Sequence, residues 1–269
     1  MSLPVAFLTD YGLTDEFVGV CHAVLARIAP DSRVIDISHG VERGNVRAGA
    51  LTLVRSIQYM PEGVALAVVD PTVGTERRGI AAQTPWGYLV GPDNGLLAPA
   101  VQMTGGASLI VSLEEAKYQL PRDGVTFDGR DIFAPAAALL AAGEVEISDL
   151  GPEVETGSAV PLMLPLVDDS DGILRGEVLW VDGFGNAQTN ITPEDMAAVG
   201  LKLGATVEVA VGASKYLVDW RSSYGDVEPG EGVVHIDSYG QIAVAVREGS
   251  ASADFNLTAS SSVVISSPQ

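Results

Sequence analysis

The chain has 269 residues, enough for one large domain or two ordinary ones, and its 47% hydrophobic content is enough to build a sizeable core. With 15 basic and 35 acidic residues the formal net charge is −20, which leaves no basic patch and excludes nucleic acid as a partner. The single cysteine, Cys21, excludes an intramolecular disulfide and a cysteine-based zinc site, and reads as a small core residue on a helix.

The first residues carry no basic n-region and no long apolar run, so no signal peptide is expected. No stretch approaches ~18 uninterrupted apolar residues, so no membrane span is expected and the cytoplasm is the default compartment. Val5 to Leu8 reads as a short strand ending at Thr9-Asp10-Tyr11-Gly12. Thr14 is placed to cap a helix whose apolar residues Phe17, Cys21, Val24, Leu25 and Ile28 recur at helical spacing, and Pro30 ends it. Val34 to Ile37 is a second strand, Val46 to Tyr59 a second helix, and Val64 to Val69 a third strand. Ile80 to Gln83 and Tyr88 to Gly91 form a strand pair around Thr84-Pro85-Trp86-Gly87, and helices are expected over Gly95 to Met103 and Asp131 to Ala142. This alternation predicts an α/β N-terminal domain, residues 1–164, with a mixed, mostly parallel sheet.

The texture changes after about residue 150. Pro152, Pro161 and Pro165 lead into Asp168-Asp169-Ser170-Asp171-Gly172, and residues 165–172 read as a linker. Beyond it, short segments rich in β-branched residues run over Ile173 to Val181, Thr206 to Val211, Tyr216 to Trp220, Val233 to Ile236, Ile242 to Val246 and Val263 to Ile265. Only Pro193 to Val199 looks helical, so residues 173–269 are expected to form an all-β, barrel-like C-terminal domain with Trp180 and Trp220 in its core.

The third strand ends on a carboxylate, Asp70, and a Pro-Thr-Val-Gly turn then leads to Arg77 and Arg78. Ligands of open α/β sheets bind beyond the carboxyl ends of strands, and an Asp and an Arg seven apart across a turn can face each other over a small ligand. Arg78 is left as a surface or structural residue.

Six segments together resemble the S-adenosyl-L-methionine hydroxide adenosyltransferases, relatives of the fluorinase and chlorinase enzymes. They are Phe7-Leu8-Thr9-Asp10-Tyr11-Gly12, Val69 to Arg78, Gly91-Pro92-Asp93-Asn94-Gly95-Leu96-Leu97, Thr126 to Pro135, Asp182-Gly183-Phe184-Gly185-Asn186 and Ser238-Tyr239-Gly240. The resemblance implies a homotrimer with active sites at subunit interfaces. It also implies displacement of methionine from C5′ of the ribose by water or hydroxide, giving adenosine and L-methionine with no cofactor.

Residue roles follow from the same resemblance. The Asp10 carboxylate would accept hydrogen bonds from the ribose 2′- and 3′-hydroxyls, although a turn or cap aspartate is the plain alternative. Asp15, in the first helical turn, would lie near the methionine amino group, and Ser238 and Tyr239 would hold the amino-acid end. Asn94 is carried over as a substrate-binding residue. Phe184 would stack on adenine and Asn186 would pair with its edge, against a simple Gly-Asn turn between strands. Asp70 and Arg77 match two members of a water-activating Asp–Arg–His set.

The third member is Asp128, where the family carries histidine. A second carboxylate near Asp70 is expected to raise the pKa of one of the two, so that one holds a proton. His22, His39 and His235 lie elsewhere in the sequence, and no metal cluster is expected. Two other readings remain. One is a halide-using relative, opposed by Asp70 where halogenases carry tyrosine and by Val73 where the fluorinase carries threonine; Gly129 decides nothing. The other is a binding protein inactivated by the change at Asp128.

Overall fold

The computed structural model describes residues 2–268 and divides into two units, Met1–Met163 and Leu164–Gln269. In the first unit, strands β1 (Val5–Thr9) and β3 (Gly63–Val68) are buried at every position, because neighbouring layers cover both of their faces. They are joined by helix α1 (Phe17–Ile28), strand β2 (Val34–Ser38) and helix α2 (Val46–Ile57). Asn45 caps α2, its Oδ1 accepting from the Ala48 amide at 2.9 Å. After β3 come β4 (Gly79–Thr84), β5 (Gly87–Pro92), helix α3 (Ala98–Met103), β6 (Leu109–Ser112), one π-helical turn (Gly129–Phe133) and helix α4 (Ala134–Ala142).

The six strands lie in the order β2-β1-β3-β5-β4-β6. Pairings β1–β2, β1–β3 and β3–β5 are parallel, whereas β4–β5 and β4–β6 are antiparallel, so the sheet is mixed. The antiparallel pairing arises from the tight turn Pro85–Trp86, which returns β4 directly into β5 without a crossover helix. This arrangement positions the site. The carboxyl ends of β1, β2, β3 and β5 share one edge, and they are followed by Asp10, His39, Asp70 and Asn94. Because β4 runs the other way, its start sits beside the end of β5, with Gly79 opposite Pro92, and the residues before it, Arg77 and Arg78, come to the same edge.

Two expected boundaries move. β3 closes at Val68, so Asp70 is the second residue past the strand, and α1 opens at Phe17 after a bent segment, so Asp15 precedes the helix rather than lying in its first turn. The core between sheet and helices gathers Phe7, Cys21, Leu25, Leu66 and Phe133, all essentially inaccessible.

The second unit is a closed barrel in the strand order β10-β11-β12-β8-β7-β13-β9. Its elements are β7 (Leu174–Val181), β8 (Ala187–Thr189), α5 (Pro193–Ala198), β9 (Thr206–Val211), β10 (Ser214–Trp220), β11 (Gly232–Ile236), β12 (Ile242–Val246), α6 (Ala251–Asp254) and β13 (Ser262–Ser266). All pairings are antiparallel except the short parallel contact of β10 with β11. Closure removes the exposed sheet edges, and alternate residues such as Val207 and Val209 point inward. Trp220 belongs to this core, but Trp180 is only half-buried and faces the cleft described below. Among the described residues no helix is long and apolar enough to cross a membrane.

Candidate active site

In the first unit Arg77 stands between two carboxylates. Its Nη2 donates to Oδ2 of Asp70 and, at 2.8 Å, to Oδ2 of Asp128. The three side chains are 6–10% exposed, so the charges are held largely away from water. Asp70 is further fixed by its own turn, Oδ1 accepting from the Thr72 amide at 3.2 Å and the Thr72 hydroxyl at 3.1 Å. The face of Phe133 lies 5.3 Å from the guanidinium carbon of Arg77 and backs the cation on its apolar side.

Asp128 is the residue before the π-helical turn, an insertion that often accompanies functional sites. Its Oδ1 accepts from Nη1 of Arg122 at 2.7 Å, so it is clamped by two guanidiniums. Asp70, Arg77, Asp128 and Arg122 thus form a chain of alternating charge with no net charge. No hydrogen bond joins Asp70 to Asp128 among the described residues. Arg77 instead reaches the space between the two carboxylates and donates to both. A hollow of about 450 Å³ opens beside this chain, with Arg77, Arg122 and Asp128 in its wall.

Asp10 follows β1 and accepts the Gly44 amide on Oδ2 at 2.7 Å, which orients the carboxylate while leaving acceptor capacity on both oxygens. Next to it, Tyr11 is packed edge-on against Phe17 and Phe127. Its hydroxyl pKa is raised well above 10, first by burial and then by negative charge, including that of Asp10, Asp70 and Asp128. Tyr11 therefore stays a neutral hydroxyl among these carboxylates. Its Oη lies where a Cβ on Gly129 would be, 2.0 Å from that ideal position, so residue 129 has to be glycine for Tyr11 to sit there.

Asn94 and Asp15 are not drawn into this group by any hydrogen bond of their own. Asn94 donates to the Val69 carbonyl at 2.9 Å and accepts the Leu96 amide at 3.1 Å, tying the end of β3 to the loop after β5. Asp15 is exposed ahead of α1. Arg78 is structural, binding the buried Asp93 through Nε at 3.0 Å and Nη2 at 2.6 Å.

In the second unit two aspartates each organise a turn between strands. Asp182 organises the turn from β7 to β8, with Oδ1 accepting the Phe184 and Asn186 amides and Oδ2 accepting Asn186 Nδ2, each at 2.9 Å. Asp237 does the same between β11 and β12, with Oδ1 accepting the Tyr239 amide at 2.8 Å and the Gln241 amide at 3.0 Å, and Oδ2 accepting from Gln188 Nε2. Residues of both turns line one cleft of about 340 Å³ beside the antiparallel β8–β12 pair, and it contains Asn186, Ser238, Tyr239, Trp180 and Tyr224. Phe184 is 83% exposed at the tip of the first turn, so it is a free aromatic face rather than a core residue. The turn built on Asp182 is what presents Phe184 and Asn186.

Sequence reasoning missed Arg122, Tyr11 and Trp180. Arg122 lies in a polar Pro-Arg-Asp-Gly loop that carries no periodic signal. It also missed that His22, Asp36 and His39 meet, which depends on how α1 packs beside β2.

Comparison with known proteins places the chain in a family. The family model described as SAM hydroxide adenosyltransferase N-terminal domain matches residues 5–151, and the corresponding C-terminal domain matches residues 176–264. The (R)-S-adenosyl-L-methionine hydrolase of Salinispora tropica is 46% identical over 248 residues, covering 92% of this chain and 91% of that protein. The fluorinase of Actinopolyspora mzabensis is 27% identical, covering 96% and 95%. A crystal structure of an uncharacterized conserved protein from Thermotoga maritima superposes with a TM-score of 0.89 at 35% identity, covering 97% of this chain and 99% of that one. The chain belongs to the SAM hydroxide adenosyltransferase family.

Proposed function

We propose that the chain hydrolyses S-adenosyl-L-methionine to adenosine and L-methionine. The observation that carries this reading is the buried Asp70–Arg77–Asp128 set at the carboxyl edge of the sheet, in a chain 46% identical to a protein named for that activity. The water oxygen attacks C5′ in line with the departing sulfur. The C5′–S bond breaks with its electron pair going to sulfur, so methionine leaves with a neutral thioether and no general acid is required. Holding water in that line removes several kcal/mol of entropic barrier. Asp70 orients the water and takes its proton, while Arg77 stabilises the developing hydroxide. Asp128 and Arg122 keep Arg77 in place. This chemistry calls for no cofactor.

Binding falls to the other residues. Asp10 takes the ribose hydroxyls, Phe184 and Asn186 take adenine, and Ser238 and Tyr239, with Asp15, take the amino-acid end; Asn94 supports the loop beside Asp70. The working form is a homotrimer with its active sites at subunit interfaces, a reading supported by family membership and checked by a solution mass three times the 27.9 kDa chain.

The direct test incubates the protein with S-adenosyl-L-methionine in ¹⁸O-labelled water, with and without chloride. Adenosine labelled at its 5′-oxygen in both conditions is expected. 5′-chloro-5′-deoxyadenosine appearing only with chloride, or tight binding without turnover, would overturn the reading.

A further inference from the structure

His22 on α1 and Asp36 and His39 at the end of β2 converge in a cluster that includes none of the residues given roles above. His22 Nε2 lies 2.9 Å from Asp36 Oδ1, and His39 Nε2 lies 3.1 Å from the same oxygen. One donor atom from each residue falls within 4.8 Å of the other two. A tetrahedral zinc ion with bonds near ~2.1 Å holds its donors about 3.4 Å apart, close to the 2.9 Å and 3.1 Å separations of the two imidazole nitrogens from Asp36 Oδ1.

His22 and Asp36 alone would make an ordinary surface pair. His39 is what sets the cluster apart. It is 6% exposed, and its Nδ1 is hydrogen-bonded to Oγ1 of the fully buried Thr9 at 2.8 Å. Its Nε2 is buried and has no hydrogen-bond partner, since Asp36 Oδ1, although close, lies outside hydrogen-bonding geometry. With Nδ1 donating to Thr9, Nε2 presents a lone pair beside a carboxylate oxygen, and a cation is what satisfies both. Phe7 packs edge-on against both imidazoles, with ring centroids at 5.7 Å and 4.8 Å, and so fixes their orientation.

We propose that His22 Nε2, Asp36 Oδ1 and His39 Nε2 bind one divalent transition-metal ion of the zinc class. Two imidazoles and one carboxylate favour zinc, cobalt, nickel or ferrous ions over magnesium or calcium. Thr9 is the outer partner that holds the ligating tautomer of His39, as metal-bound histidines generally require. The side chains of His22 and Asp36 are 34% and 47% exposed, which gives the ion a path in and room for water in its remaining positions. The ion's effect is structural. Thr9 immediately precedes Asp10, and the His39 carbonyl accepts the Gly12 amide at 2.7 Å, so a bound ion fastens α1 to the strand ends that carry Asp10. This inference does not depend on the reaction proposed above.

The test uses untagged full-length protein freed of metal by chelation, titrated with Zn²⁺ by calorimetry and with Co²⁺ by visible absorption. One ion per chain is expected, with a rise in Tm on adding Zn²⁺. Because His39 is in the core, the two accessible ligands are replaced, and His22→Ala and Asp36→Asn are each expected to weaken Zn²⁺ binding by at least ~10-fold and to abolish the Tm rise. Absence of stoichiometric binding, or binding unchanged in both variants, would overturn the proposal.

Discussion

Arg122 donates from Nη1 to Oδ1 of Asp128 at 2.7 Å, while the other oxygen of that carboxylate receives Arg77. Asp128 is therefore neutralised from two sides, and its identity is coupled to that of Arg122. Replacing Asp128 by histidine, the residue expected there from the resemblance, would leave two guanidiniums with the single carboxylate of Asp70. We expect Asp128→His alone to lower turnover and Asp128→His combined with Arg122→Gln to recover part of it. The coupling in the double-mutant cycle should be on the order of 1 kcal/mol in kcat, since the residues are in direct contact. Additive effects would show that the two positions act independently.

Arg122→Ala alone tests how much the outer guanidinium contributes. Its side chain is 28% exposed, so solvent replaces part of the lost charge and the stability loss stays near ~1 kcal/mol. Its effect on rate runs through Asp128 and Arg77. A fall in kcat at nearly constant KM is expected, with Arg122→Lys retaining more activity than Arg122→Ala. A change in KM alone would place Arg122 in substrate binding instead.

Arg77→Ala removes the cation between two nearly buried carboxylates. Leaving Asp70 without its cation, and Asp128 with Arg122 alone, costs about 3–5 kcal/mol of folding stability. Loss of charge stabilisation at the nucleophile lowers kcat by roughly 10²–10³, with substrate affinity changed much less. Single-turnover rates and equilibrium binding, measured on the same folded sample, separate the two. Equal losses in rate and affinity would contradict a role at the nucleophile.

Much of this architecture was legible because strand burial leaves a strong mark. β1 and β3 are covered on both faces and read as unbroken apolar runs, and Asp10 and Asp70 follow them as the strand-end rule expects. The barrel showed in regularly spaced β-branched segments, of which Thr206–Val211 and Ile242–Val246 match the strands residue for residue. What escaped depends on contacts distant in sequence or on elements too short to carry a period. β8 has three residues, and the direction of β4 is set by its two-residue turn rather than by its hydrophobicity. Arg122 reaches Asp128 from a loop, and His22 meets Asp36 only because of the rotation of α1 about its axis. Trp180 reads as core by composition, yet the bulge in its pairing with β8 leaves it beside the cleft.

Gly129 and Tyr11 offer a test of packing at the site. A Cβ at residue 129 would lie 2.0 Å from Tyr11 Oη, with the next ring atoms at 3.1 Å and 3.3 Å. Gly129→Ala should therefore destabilise by about 1–3 kcal/mol as an overpacking substitution. Tyr11→Phe removes the clashing oxygen, so Gly129→Ala should cost less in that background. Thermal unfolding of the four proteins measures this. An equal cost in both backgrounds would mean that the hydroxyl is not what glycine accommodates.

Cys21 ties stability to alkaline pH. Burial, the largest cause, pushes its thiol from 9.0 up to about 12, with Arg130 opposing and Asp131 adding to the shift. A folded-state pKa above the unfolded one means that the native protein holds the proton more tightly. This contribution is complete below pH 9.0 and is lost as pH rises from there towards about 12. The slope approaches about 1.4 kcal/mol per pH unit within that window. Tyr11 acts with the same sign above pH 10, where its unfolded hydroxyl ionises while the buried one does not. Urea unfolding on either side of pH 9.0 should therefore show stability falling with pH, and Cys21→Ala, though less stable at neutral pH through its lost packing, should flatten that fall below pH 10. An unchanged slope in the variant would assign the alkaline loss to other groups.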